Sequence, residues 1–445
     1  MRTTRSLATS MVVLSVAALP AAARAGVPGW STPHTASSVP VGVYGAGPNG
    51  QGVQLFGSNG AAQTRTAAMR AITSGATQGS SVPIDAAGRP GMDLPAVAVN
   101  ANGKLVVAWL LDTLQAGPIG LAATLGARTA LPHTATVLPT QASTAGLAVA
   151  IGPDGTGIVA WIEAGPPNVV KAATLRAGQA PQVAVLATTT AALPGNLSLG
   201  LDGGGRPTVT WTMTTDSGTA IDVARGDATG GFAPAAEQPL TTAPVVGAQT
   251  FVLSDGALLA TWSEGVLPGP VTLTTANAPA GGAFGVPRRL ATALAAPQPS
   301  VAAAAGGRAA VLYAVRSGSG VALRTILRTA SGTWGSTRSV GPSGRNVSRI
   351  NAGVDGQGRV VILWDDGSAS ASTPTRILAA RSSSSSDPPG AYHQLPQRSG
   401  DGRCDVPTLI LSSSGDGLGA WLCTGTGASS GQSGRPRLAR LTKPS

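Results

Sequence analysis

Asp154-Gly155-Thr156-Gly157-Ile158-Val159-Ala160-Trp161 joins a turn signal to a short apolar run that closes on an aromatic residue, and the same pattern recurs seven more times along the chain. The closing aromatics are Phe56, Trp109, Trp161, Trp211, Trp262, Tyr313, Trp364 and Trp421, spaced 50 to 57 residues apart. Six positions before each stands a glycine: Gly50, Gly103, Gly155, Gly205, Gly256, Gly307, Gly358 and Gly415. The residue ahead of that glycine is Asn49, Asn102, Asp154 or Asp255 in half of the copies. Asn-Gly and Asp-Gly between apolar runs signal a hairpin, because a two-residue type I′ turn needs left-handed backbone that costs glycine little. Each copy therefore reads as strand, two-residue turn, strand.

The rest of a unit supplies two more strands. In the copy around Trp161 the sequence predicts strands over 146–151, 157–162, 169–175 and 182–186. A period near 50 residues belongs to repeat folds whose units cannot bury an apolar face alone. The expected fold is all-β, an eight-bladed β-propeller of four-stranded antiparallel blades. The alternative is seven blades plus an irregular unit, because the copy closing on Tyr313 has an unusually small-sided first strand at Ala302–Ala305.

The two chain ends complement each other. Later copies carry a second aromatic ahead of the fourth strand, at Phe232, Phe284, Trp334 and Tyr392, and Trp30-Ser31-Thr32 resembles the stretch at Trp334. The last copy lacks one. An N-terminal strand is thus expected to pair with the last blade and close the circle, which leaves no open edge in the ring.

Composition sets the class. Of 445 residues 42% are hydrophobic, 11% charged and 3% aromatic, with 61 glycines and 34 prolines, which fits a turn-dense β protein and excludes a disordered one. Residues 1–25 read as an export signal: Arg2 and Arg5, an apolar core over 11–19, and the small-residue motif Ala23-Arg24-Ala25. One propeller domain then spans 26–445, outside the cell or in its envelope. Losing Arg2, Arg5 and Arg24 lowers the net charge from +11 to +8. The arginines are scattered without aromatic interleaving, so no nucleic-acid role is expected, and no later apolar run is long enough to span a membrane. Both cysteines, Cys404 and Cys423, flank the hairpin of the last copy, and in an exported chain an even count favours a disulfide.

The Gly-x(5)-Trp hairpin, repeated over the whole mature chain, resembles that of secreted bacterial β-propeller repeat proteins. It lacks the Gly-Gly and paired aromatics of kelch repeats. Ser254-Asp255-Gly256 with Thr261-Trp262 approaches the sialidase Asp box at a different spacing. No functional residue carries over from either family.

In a propeller the loops after the second strands share a face with the loops between blades. Asp112, Glu163, Asp216, Glu264, Asp365 and Asp366 follow the anchors there, six of the chain's 19 acids. An acidic rim of this kind is expected to bind a protein or a glycan; the competing reading is that these acids cap strand ends. No cofactor and no metal site is expected, since neither zinc-spaced histidines nor an Asp-x-Asp-x-Asp run occurs. His34, His133 and His393 stand far apart in sequence. The expectation is an exported, monomeric, non-catalytic binding or scaffolding module, the alternative being a sialidase-like carbohydrate-active hydrolase or lyase.

Overall fold

The computed structural model describes Trp30 and residues 34–35, 43–46, 51–59, 65–74, 76–89, 91–111, 120–140, 143–190, 192–216, 218–266, 270–292, 294, 300–303, 307–317, 320–367, 376–382, 389, 392–397, 401–411, 415–425 and 435–442. The expected leader over 1–25 and Asp112 lie outside them.

The chain folds as an eight-bladed propeller. Blade 3 is the plainest unit: Ser143–Ile151, Gly157–Ala164, Asn168–Leu175 and Gln182–Thr189 pair antiparallel in sequence order from the axis outward. Blades 1, 2, 4 and 5 repeat this as separate four-stranded sheets whose second strands are Gly52–Asn59, Lys104–Leu111, Pro207–Thr215 and Leu258–Glu264. Blades 6 and 7 share one strand. Arg338–Val354 runs 17 residues, from the outer edge of blade 6 to the inner edge of blade 7, so the two join in a seven-stranded sheet. At the bend Gly341 has φ +75°, and a Cβ there would stand 2.9 Å from the Trp364 ring. The Tyr313 copy is thus a true blade, and eight rather than seven is the count.

Blade 8 takes its outermost strand from the other end of the chain. His34 and Thr35 pair with Leu438 and Arg437, and Trp30 bridges Leu441. Phe232 bridges Gly226 and Trp334 bridges Arg328 in the same way, at the ends of the third strands of blades 4 and 6. Trp30 occupies the corresponding place in blade 8, with the chain order reversed.

The core is divided among eight seams, one per pair of neighbouring blades. Alternation along each second strand sends one set of side chains to the blade before and the other to the blade after. The anchors point backward. Trp109 packs with Val53 and Leu55 of blade 1, Trp161 with Val106 and Ala108 of blade 2, and Trp364 with Leu312 and Leu323 of blade 6. Trp421 meets Val361 and Leu363 of blade 7, and Trp30 fills the same cluster. The eighth seam sets Tyr44 and Ile72 of blade 1 against Leu418, Ala420 and Leu438 of blade 8. All eight anchors are at most 3% exposed. Burying a large aromatic stabilises by roughly 2–3 kcal/mol each, and here that gain is realised only when a neighbouring blade is in place.

The hairpins differ from the two-residue type I′ turns expected. In blade 2 the Asn100 N–H donates to the Lys104 carbonyl (2.9 Å) and Gly103 N–H to the Asn100 carbonyl (3.0 Å). Blades 3, 4, 5 and 7 have the same pair of bonds, around Gly152–Thr156, Asp202–Arg206, Leu253–Ala257 and Asp355–Arg359. This is a type I turn followed by a single left-handed glycine. Only the glycine needs positive φ, +72° at Gly103 and +80° at Gly358. Its Asn or Asp neighbour stays on the ordinary side. In blades 2 and 7 a carboxamide or carboxylate three positions before the glycine holds the turn: Asn100 Oδ1 accepts from the Asn102 and Lys104 amides, and Asp355 Oδ1 from those of Gln357 and Arg359. In blades 3 and 5 Asp154 and Asp255, beside the glycine, accept the Thr156 and Ala257 amides instead.

Cys404 and Cys423 form a disulfide across the first two strands of blade 8, where they are register partners. Both are buried.

Candidate functional site

The first-to-second strand turns lie on one face of the ring, and the loops leaving the second strands lie on the other, the loop face. On the turn face neighbouring blades clasp each other: Asn100 Nδ2 donates to the Gly152 carbonyl (2.7 Å) and the Gly203 amide to the Ser254 carbonyl (2.7 Å). The loop face is where the sequence places its acids.

The structure sorts those acids by strand parity. Glu163, Glu264 and Asp366 stand two residues past their anchors, so they point into the same seam as the anchor. In blade 3 the Trp161 indole N–H donates to Glu163 Oε1 (2.9 Å), and Lys171 Nζ reaches Oε1 and Oε2 at 2.9 and 3.0 Å. Lys171 is the register partner of Trp161 on the third strand. Glu163 is 1% exposed and Lys171 8%, so this is an ion pair inside the seam between blades 2 and 3. In blade 7 Asp366 is 3% exposed and stands in register with Arg376. Asp365 faces the other side. Its Oδ1 accepts the Arg349 amide (2.8 Å), which the chain frees where the inner strand slips register between Val347 and Ile350. Register slips of this kind recur at the same height in blades 2, 3, 4, 5 and 8.

Glu264 is different. It is half-buried, and the Trp262 indole N–H donates to its Oε1 at 2.7 Å. Among the described residues it has no ion-pair partner. Asp216, on the adjoining blade 4, is exposed at the tip of the hairpin between Pro207–Thr215 and Gly218–Arg225. The expected six-acid rim is therefore represented by two open carboxylates on neighbouring blades, by Glu163, Asp365 and Asp366 within the seams, and by Asp112 outside the described residues.

One acidic pair escaped the sequence reading. Asp222 and Glu237 are register partners on the third and outer strands of blade 4. Burial pushes the Asp222 carboxyl above the usual carboxylate range, the Glu237 charge adds to the rise, and the Trp211 indole offsets part of it. Glu237 lines a cleft of about 420 Å³ with Met213, Thr215 and Thr241. Each acid stands alone in its strand, Gly218–Arg225 and Ala236–Thr241, and only the register between them makes the pair visible.

Tyr44, a tyrosine of the kind a sialidase-like mechanism uses as nucleophile, is deeply buried. Burial raises its hydroxyl to about 12, with Arg70 and a hydrogen bond from Gln54 (3.0 Å) opposing the rise. Such a phenol stays protonated and closed to substrate. His133 is exposed beside Asp85, Arg89 and Trp109 in an outer cleft of about 570 Å³ between blades 1 and 2, and His393 is exposed on the outer strand of blade 7. Among the described residues no three His, Cys, Asp or Glu side chains gather as a metal site, and no helix is long and apolar enough to cross a membrane.

Neither a family model nor a curated protein matches the chain. Among solved structures it is similar to the polysaccharide lyase Uly1, with 9% identity over 92% of this chain and 98% of that one and a TM-score of 0.48. It is similar to puromycin hydrolase at 16% identity, over 90% of this chain and 61% of that one, TM-score 0.45. A third is prolyl oligopeptidase B from Galerina marginata, at 10% identity over 89% and 56%, TM-score 0.48. The chain spans about three fifths of the length of the two hydrolases and nearly all of the lyase.

Proposed function

We propose that the chain is an exported binding propeller that takes a glycan or a protein segment across its loop face, at the step between blades 4 and 5. The observation that carries this reading is the state of Glu264. Its Oε1 is fixed by the Trp262 indole while no cation neutralises it among the described residues, and Asp216 stands open on the neighbouring blade. A carboxylate oriented by one donor and left with free lone pairs receives sugar hydroxyls or a cationic group well. Titration calorimetry with chitosan oligomers, as an amino-sugar probe, and with neutral cello-oligomers tests it. Amino-sugar binding is expected to weaken about tenfold or more in Glu264→Gln and in Asp216→Asn, the scale of one charge-assisted hydrogen bond. Absence of binding by both probes, or equal binding by the parent chain and both variants, would remove the reading.

A carbohydrate-active hydrolase or lyase is the second reading, and the Asp222–Glu237 pair favours it. Two neighbouring carboxyls, one pushed above its ordinary range by burial, are the kind of pair that glycoside cleavage uses as acid and base. Depolymerisation of a polysaccharide panel, lost in Asp222→Asn and in Glu237→Gln alike, would promote it over the first.

A further inference from the structure

The outer strand of each blade leaves backbone donors and acceptors open, so its length and composition decide what can add to it. Among the described residues seven of the eight are short, charged or interrupted by proline. Val82–Pro83, His393–Gln394 and His34–Thr35 are two residues long, and Thr136–Leu138 three. Ala236–Thr241 contains Glu237 and Pro239, Arg288–Ala291 opens on two arginines, and the outer part of Arg338–Val354 opens on Arg338.

Blade 3 departs from this. Its outer strand, Gln182–Thr189, is eight residues long with neither a charge nor a proline. The nearest ionisable residues in the sequence are Arg176 and Asp202. Leu186 turns into the seam with blade 4, while Val183 and Val185 lie 39% and 60% exposed, and Leu193 just beyond is 53% exposed. A long, flat, uncharged edge carrying exposed valines is a template for a further strand.

We infer that this edge pairs antiparallel with the same edge of a second copy, so that two four-stranded blades become one eight-stranded sheet across a dyad. Charge argues for this occupant and this direction. The chain carries a net +11, or +8 without residues 1–25, which opposes approach over most of its surface; the uncharged run 177–201 is where two copies meet with least repulsion. Antiparallel pairing sets each Arg176 beside the far end of the partner strand, on the order of 25 Å from its counterpart at ~3.3 Å per residue. The valines of both copies then cover one another on one side of the joined sheet. Two such edges cover less than the roughly 1,200 Å² at which standard interfaces begin, so the dimer is weak and depends on concentration.

Sedimentation equilibrium of the full chain over a wide concentration range tests this. A monomer–dimer equilibrium is expected. Val183→Lys, opposite Ala173, should return the protein to monomer without moving its thermal midpoint, because a lysine on an exposed edge blocks strand addition. If that variant does not fold, Val183→Thr with Val185→Thr, which keeps β-branching, should weaken association about tenfold or more through lost apolar burial. A chain monomeric at every concentration overturns the proposal, as does a dimer that survives the substitutions.

Discussion

A carboxylate two residues past a tryptophan lies on the same side of its strand, and that parity decides what Glu163 can do. It sits within the seam, tied to the Trp161 indole and the Lys171 ammonium. Taking two charges out of water costs several kcal/mol, and their mutual attraction offsets this only while both are present. Glu163→Gln strands Lys171 in an apolar seam and is expected to lower stability by about 3–5 kcal/mol. Glu163→Gln combined with Lys171→Met should recover most of the loss, as urea unfolding of the two variants against the parent would measure. The placement of Glu163 was legible in its alternation with Trp161. Its partner was not, because the register Trp161 opposite Lys171 depends on where the third strand begins, and a loop of Gly, Pro and Asn does not fix that. Asp365 shows the other gap: the amide it caps at Arg349 is freed by a register slip that leaves no mark in residue types.

At the scale of the hairpin, the Gly-x(5)-aromatic pattern fixed where each turn falls and left its class open. The residue beside the glycine looked decisive because Asn and Asp tolerate positive φ. In blades 2, 4 and 7 the residue that holds the turn stands three places before the glycine, at Asn100, Asp202 and Asp355, where a side chain that accepts amide hydrogen bonds suits the start of a type I turn. In blades 3 and 5 it is Asp154 and Asp255 beside the glycine. The hairpin of blade 8 carries an added covalent tie. Cys404 and Cys423 are separated by 19 residues, and a loop of that size constrains the unfolded chain by about 3 kcal/mol. Replacing both by serine should lower stability by about that amount. Hydrogen exchange should rise first in the hairpin of Asp401–Leu411 and Gly417–Gly425, since the bond bridges those two strands and no others.

The molecule as a whole is a ring whose stability resides between its parts. Seven of the eight anchors are buried against the blade before them, so no blade completes its own core, and the eighth seam must form for the first and last blades to be covered. This much was readable from eight regularly spaced aromatics and from the aromatic that the last copy lacks and Trp30 supplies. The outer strand of blade 3 was legible over 182–186, but its run on to Thr189 was not, since no turn signal or charge marks where it stops.

The closing strand has a mechanical consequence. His34 and Thr35 run antiparallel to Leu438 and Arg437, with Trp30 beside Leu441 at the same end of the pair. A load drawn between the segment ahead of Trp30 and the segment after Leu441 would peel this clasp one bridge at a time instead of shearing all its bonds together. The fastening that closes the ring is therefore one built to open under a tug on its two tails.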